Sequence, residues 1–188
     1  MRVIVVGAGE VGTYVAERLS GQEHHVALVE SGAERFRQVE TELDLLTVRG
    51  SGTDPETLSA AGIDHADLLV AATNSDETNM LACQVAYTLF HTPTKIARVR
   101  SAEYLTRPHL FSQDALPIDV LISPERLVPT HIERLIETPG ALQVLDFADG
   151  KARVVAVRAY YGGPLGGHEL KALRQHMPGI ETRVAAIY

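Results

Sequence analysis

The sequence predicts a doubly wound α/β domain, and three observations predict it. The chain opens on an apolar run, Val3-Ile4-Val5-Val6, that leads straight into Gly7-Ala8-Gly9-Glu10-Val11-Gly12, a G-x-G-x-x-G. Apolar runs of strand length then alternate with helical patterns six times. An acidic residue, Glu30, ends the second run, about twenty residues past the glycines.

Each element has its own signal. Arg2 to Val6 is almost wholly apolar, as a strand buried on both faces of a parallel sheet must be. Glu10 to Ser20 carries Val11, Val15 and Leu19 at helical spacing, and Gly21 closes it. His25 to Glu30 is the second strand, Ala33 to Leu43 the second helix with Phe36, Val39 and Leu43 on one face, and Leu45 to Val48 the third strand. Asp54-Pro55-Glu56 opens a third helix with an acidic cap and a proline at its first position, and Gly62 ends it. Asp67 to Ala72 is a strand, Asp76 to Phe90 a helix, Lys95 to Arg100 a strand, a short helix follows from Ser101, and Asp119 to Ile122 is the sixth strand. The expected sheet order is 3-2-1-4-5-6, a Rossmann-like arrangement. Ser123-Pro124-Glu125 starts a further helix running to about Glu137.

Thr138-Pro139-Gly140 reads as a hinge, beyond which the pattern changes. Leu142 to Phe147 and Ala152 to Tyr160 read as strands joined by a hairpin turn, Gly162 to Gly167 as a loop, Glu169 to Met177 as a short helix and Thr182 to Ile187 as a last strand. The organisation expected is thus a nucleotide-binding domain over 1–123, a helix over 124–138 that could pack on its own domain or lie in an interface, and a small, incomplete α+β domain over 139–188. That last unit is small for an independent core, and the chain ends on an apolar strand; a fragment of a longer polypeptide, or a unit completed by another subunit, is expected.

Composition excludes several classes of function. A net charge of −7, with scattered basic residues, argues against nucleic-acid binding through phosphates. The single cysteine, Cys83, lies between Leu81 and Val85 and reads as a small core residue in a reducing compartment. No apolar stretch approaches the roughly 20 residues of a membrane span, so no direct membrane insertion is expected and work at a membrane goes through a partner.

The glycine loop is the centre of the chemistry. Gly7 permits the tight turn, Gly9 lets the backbone approach a pyrophosphate, and Gly12 lets the helix pack close to the strand. The first amides of that helix have no partners within it and suit an anion. Glu30 can take the ribose hydroxyls and would repel a 2′-phosphate, which favours NAD or an adenine nucleotide over NADP; Arg35 nearby weakens that preference slightly. Ser51-Gly52-Thr53-Asp54 could flank an adenine or be a plain loop with a helix cap. Thr73, Asn74 and Asn79 lie where the fourth strand gives way to its helix, across the topological switch point; Asp76 there reads as an ordinary N-cap. Arg98 and Arg100 share one side of the fifth strand and imply an anion, either a local carboxylate or a distal phosphate.

The parts needed for catalysis are missing. No tyrosine is followed four residues later by a lysine, no His/Cys/carboxylate cluster has metal spacing, and the glycine loop is not G-x-x-x-x-G-K-[ST]. The residues read as a site that holds a nucleotide without transforming it. A small NAD-dependent oxidoreductase, or the nucleotide-binding subunit of one, is the alternative.

Four further runs carry a resemblance: Ala72-Thr73-Asn74-Ser75-Asp76-Glu77-Thr78-Asn79-Met80, Ala82-Cys83-Gln84-Val85-Ala86-Tyr87, Pro139-Gly140-Ala141-Leu142-Gln143-Val144 and Ala159-Tyr160-Tyr161-Gly162-Gly163-Pro164-Leu165. With the glycine loop, they make the whole chain resemble the RCK family, in particular the cytosolic regulatory subunits of bacterial Trk potassium-uptake systems. The resemblance implies binding of NAD(H) and of ADP or ATP at one site. Gly7, Gly9, Glu10, Val11, Glu30, Thr73, Asn74 and Arg98 match the family's site, and Ala8, Ser31, Arg35, Thr53, Asp54, Asn79 and Arg100 complete the candidate set. It also implies docking on the membrane potassium channel subunit of the system, with opening or closing set by the bound nucleotide. A cytoplasmic location, peripheral on the inner face of the plasma membrane, follows, as does a homo-oligomer built through the helix 124–137. Members of this family carry two such halves in tandem, and this chain has one.

Overall fold

The computed structural model describes residues 1–148, 150–160, 162–163 and 183–187, which fall into two compact units, Met1–Glu125 and Arg126–Tyr188. In the first unit six parallel strands alternate with helices: β1 (Arg2–Val6), α1 (Glu10–Ser20), β2 (His25–Glu30), α2 (Ala33–Glu42), β3 (Leu46–Arg49), α3 (Pro55–Ala60), β4 (Leu68–Ala71), α4 (Asp76–Phe90), β5 (Thr94–Arg98), α5 (Ala102–Leu105) and β6 (Val120–Ile122). The sheet order is β3-β2-β1-β4-β5-β6, as the alternation predicts. In register, Val5 of β1 lies between Leu28 of β2 and Val70 of β4.

The alternation of side chains along β1 divides the core in two. Ile4 and Val6 face one layer, with Val29, Leu69, Leu58 of α3 and Met80, Cys83 and Ala86 of α4. Val3 and Val5 face the other, with Leu28, Val70, Ala16 of α1 and Val39 of α2. A two-sided strand must be apolar at every position, which is why its signal is a continuous run and not an alternation. Each fully buried Leu or Val contributes about 1.5–3 kcal/mol of transfer free energy. Because β1 and β4 are neighbours whose following helices lie on opposite faces of the sheet, their carboxyl ends part and leave a crevice.

The second unit contains the body of α6 (Pro124–Glu137) and an antiparallel hairpin, β7 (Ala141–Phe147) and β8 (Ala152–Val157). Val144 is its buried centre. Asp146 binds Arg153 at 2.7 Å and Arg134 of α6 at 3.1 Å. The hydrogen bond from Arg153, and then the two positive charges, outweigh the opposing effect of burial and hold the Asp146 carboxyl below the usual carboxylate range.

Several expectations are corrected. β5 ends at Arg98, so Arg100 lies beyond the strand and not on one side of it with Arg98. The N-cap of α4 is Ser75, whose Oγ accepts the Thr78 N–H at 3.1 Å, and Asp76 is the first helical residue. Arg183–Ile187 is exposed and carries no strand, for no described strand pairs with it. The helix expected over Glu169–Met177, and the loop from residue 164 to 167, lie outside the described residues.

Candidate functional site

A cavity of about 390 Å³ lies outside the carboxyl ends of β1, β2 and β4, within the size range of small-molecule sites. Its floor is the glycine loop. Gly7 has φ +98°, a conformation open to glycine, and a Cβ there would meet the Thr73 backbone at 2.9 Å. A Cβ on Gly12 would stand 1.9 Å from the Gly7 carbonyl oxygen. Those two glycines are required by the protein's own packing. Gly9 differs: its backbone is extended, at φ −69° and ψ −179°, and a Cβ added there would meet no protein atom within 4 Å. Nothing in the fold demands a glycine at that position. It faces the cavity, and a ligand brought against the backbone is what a side chain would obstruct.

Gly9 is also the N-cap of α1, and no side chain caps that helix. The first-turn amides at Glu10 and Val11, both residues lining the cavity, are therefore left for another acceptor. The positive end of the helix dipole adds to their pull on an anion.

One wall comes from β2 and α2. Glu30, at the end of β2, accepts the Ala8 N–H on Oε2 at 2.8 Å and the Gly32 N–H on Oε1 at 2.6 Å. A carboxylate has about four acceptor sites, so two remain for the hydroxyls of a ribose. Arg35 sits beside it with Nε on the Ala8 carbonyl at 2.5 Å, Nη1 on Gln38 at 2.7 Å and Nη2 on Thr13 at 3.0 Å. Ser31 lines the same wall.

The opposite wall comes from β4, α4 and β5. Thr73, Asn74 and Arg98 line it. Asn79, fully buried, does not reach the cavity but holds it in shape. Its Oδ1 accepts both the Thr73 N–H (2.8 Å) and the Thr73 hydroxyl (2.7 Å), and its Nδ2 donates to the carbonyls of Arg98 (2.8 Å) and Thr73 (3.2 Å). Asp76 does the same one turn away. Its Oδ2 accepts the N–H groups of Arg100 (2.9 Å) and Ser101 (2.8 Å), and the Arg100 guanidinium returns to Asp76 at 3.5 Å and to the Asn74 carbonyl.

Eleven of the fifteen predicted residues thus line one cavity, and Asn79, Arg100, Thr53 and Asp54 stand outside the lining. Asp54 caps α3 through Thr57, accepting its N–H at 3.0 Å and its hydroxyl at 2.6 Å. Those bonds, the hydroxyl's first, hold its carboxyl below the usual range. Thr53 turns to Ser51, at 2.8 Å between hydroxyl oxygens. Gly50, Ser51 and Gly52 do line the cavity. The loop read as a possible adenine flank therefore reaches the cavity through Ser51 and Gly52, and a Cβ on Gly52 would lie 2.0 Å from Val6 Cγ1, so the loop after β3 must pass close to β1. Burial pushes the Cys83 thiol up to about 12, so it is no nucleophile.

Comparison with known proteins places this chain. It is 58% identical over all of its 188 residues to the Trk system potassium uptake protein TrkA of Halomonas elongata, and spans 41% of that protein's length. By structure it resembles the GsuK channel bound to NAD (TM-score 0.68, 17% identity, 94% of this chain and 31% of that one). It also resembles GsuK bound to ADP (TM-score 0.58, 22% identity, 72% of this chain and 34% of that one). At those identities the likeness establishes the fold. Residues 3–124 match the TrkA-N domain, and the chain belongs to that family.

Proposed function

We propose that this chain is the nucleotide-sensing part of a cytoplasmic regulatory subunit that controls a membrane potassium-uptake channel, and that it performs no chemical step on the nucleotide. The observation that carries the proposal is Gly9, a glycine with open space before it at the uncapped start of α1. The potassium-uptake role is supported by the Halomonas elongata relative, and the nucleotides by the GsuK structures, named as bound to NAD and to ADP.

In this reading NAD(H), ADP and ATP share one site. The amides at Gly9, Glu10 and Val11 hold the phosphates, Glu30 the ribose, and Gly7, Ala8 and Ser31 shape the floor. Thr73, Asn74 and Arg98 face whatever follows the first phosphates. A ligand shifts a two-state assembly only by its differential affinity for the two states. ATP and ADP differ at the distal phosphate, so the arginine on that side supplies the difference. Val128, Ile132 and Ile136 lie along α6 at four-residue spacing, 58%, 50% and 73% exposed, and suit the proposed homo-oligomer contact. Among the described residues no helix is long and apolar enough to cross a membrane. The proposed place of work, peripheral on the inner face of the plasma membrane through the channel partner, rests on the Trk relative.

Calorimetric titration of the chain with NADH, ADP and ATP, with oligomeric state followed by light scattering, tests the reading. Saturable binding of all three in mutual competition is expected, with Arg98→Ala weakening ATP more than ADP. Equal losses for both would remove Arg98 from the sensing role. Turnover of NADH against a panel of carbonyl compounds would instead establish the oxidoreductase alternative.

A further inference from the structure

Ala8, in the middle of the glycine loop, is fully buried and is held at both ends of its backbone. Its N–H goes to Glu30. Its carbonyl receives two donors, Arg35 Nε at 2.5 Å and the Thr13 hydroxyl at 3.1 Å. Those two donors are themselves joined, Arg35 Nη2 donating to Thr13 Oγ1 at 3.0 Å. The result is a closed triangle of Arg35, Thr13 and the Ala8 carbonyl, with α1 and α2 each supplying one corner. Gln38 steadies the third guanidinium nitrogen at 2.7 Å, and Glu42 steadies Gln38 at 2.9 Å.

The carbonyl of Ala8 and the N–H of Gly9 belong to one peptide unit. The Ala8–Gly9 peptide bond is trans, so the two groups point in opposite directions. Fixing the carbonyl against Arg35 and Thr13 therefore fixes the Gly9 N–H away from them. The Ala8 N–H, spent on Glu30, is withdrawn from the ligand. We infer that Thr13 and Arg35 are positioning residues for the phosphate-binding amides: they act on the loop and not on the nucleotide. The inference rests on the reading of this cavity as a nucleotide site. It makes Arg35, which sequence alone suggests as a ligand contact or a 2′-phosphate acceptor, a strut. Thr13, outside the cavity lining, becomes part of the site's machinery.

Positive charge at residue 35 and the fork geometry of Arg35 have separable effects. Arg35→Lys keeps the charge and loses the two-point fork. Thr13→Val keeps the shape and loses the hydroxyl, whereas Thr13→Ser keeps the hydroxyl. The experiment is calorimetric titration of the full chain and its variants with ADP and with adenosine, alongside amide hydrogen exchange at Ala8 without ligand. Arg35→Lys and Thr13→Val are each expected to weaken ADP about five- to tenfold, the range of one or two lost hydrogen bonds. Adenosine binding should change less than about twofold, since no phosphate is involved. Exchange at Ala8, whose N–H is buried on Glu30, should quicken in both variants, and Thr13→Ser should restore both readouts. Full ADP affinity in Arg35→Lys, or in Thr13→Val, would overturn the inference, as would equal losses for ADP and adenosine. A wild-type chain that binds neither ADP nor inorganic pyrophosphate would overturn the nucleotide reading itself, while unchanged Ala8 exchange in the variants would overturn the strut alone.

Discussion

Helix α1 enters the cavity with no side chain on its first-turn amides, whereas α4, on the opposite wall, enters with Ser75 Oγ on the Thr78 N–H. The contrast extends through both walls. On the glycine-loop side the groups facing the cavity are backbone amides and an open Gly9. On the α4 side Asn79 and Asp76 hold the turn together from within, and Arg100 is folded back onto Asn74 and Asp76. Both walls are rich in polar residues and both follow a parallel strand, yet the first-turn amides of α1 are left open while Asn79, Asp76 and Arg100 are spent on the shape of the turn before α4. The difference teaches that polar composition at a βα turn does not mark a binding surface. What marks it is hydrogen-bonding capacity that the fold itself leaves unused.

The comparison can be broken first at its glycines. Gly12→Ala sets a Cβ 1.9 Å from a backbone oxygen that cannot rotate away. A stability loss of about 3 kcal/mol or more is expected in denaturant unfolding. Gly9→Ala, three residues earlier, should cost less than about 1 kcal/mol, since only an N-cap preference is touched. Similar losses at the two positions would erase the distinction between packing glycine and ligand glycine.

Next in size is Asn79→Ala. It strips the Thr73 N–H and the Arg98 carbonyl of a buried partner, and a loss of about 2–3 kcal/mol follows. Nucleotide affinity should fall as well, because the wall carrying Thr73 and Arg98 loosens. A variant as stable as wild type would mean that the α4 wall is not held by this residue.

The smallest effect lies at the far end of β5, away from the cavity. Lys95 is 2% exposed, with Nζ 2.8 Å from Asp119 Oδ2, and its N–H reaches the same oxygen at 2.7 Å. Burial pushes the Asp119 carboxyl up, but the hydrogen bonds and charge of Lys95, with a smaller contribution from Gln113, outweigh it and hold the group below its ordinary 3.8. A depressed folded value means that the stabilisation is complete above the ordinary carboxylate range and is lost as pH falls through the lowered value. NMR titration of the Asp119 carboxyl should give a midpoint below 3.8 that ADP does not move; a midpoint at or above 3.8 would contradict the assignment.

Much of this was legible in the sequence because parallel strands are written as uninterrupted apolar runs. β1, β2, α1 and α4 fall at their expected boundaries, and the strand order follows from the alternation together with the glycine fingerprint of a Rossmann-like arrangement. The glycine loop was legible because its three glycines stand at fixed spacing, Gly7 and Gly12 for the protein's own packing and Gly9 for the ligand's approach. Less legible was the direction of side chains at strand ends. Arg100 is two residues from Arg98, and period-two reasoning put both on one face, but the strand stops at Arg98 and the next turn reorients the chain. Ser75 and Asp76 both suit an N-cap, and only the structure shows Asp76 reaching instead to Arg100 and Ser101. Asn79 reads as a candidate ligand contact, whereas it binds the backbone of Thr73 and Arg98, just past or at the ends of two different strands, which no local pattern announces.

The central claim, that the open wall at Gly9 receives a nucleotide, is tested most directly by thermal unfolding of wild type and Gly9→Ala with and without ADP. A ligand at a hundred times its dissociation constant stabilises the folded state by about 2.7 kcal/mol, several degrees for a domain of this size. Wild type should show that rise. Gly9→Ala should melt within about 4 °C of unliganded wild type and show none. A full ADP-dependent rise in Gly9→Ala would contradict the account.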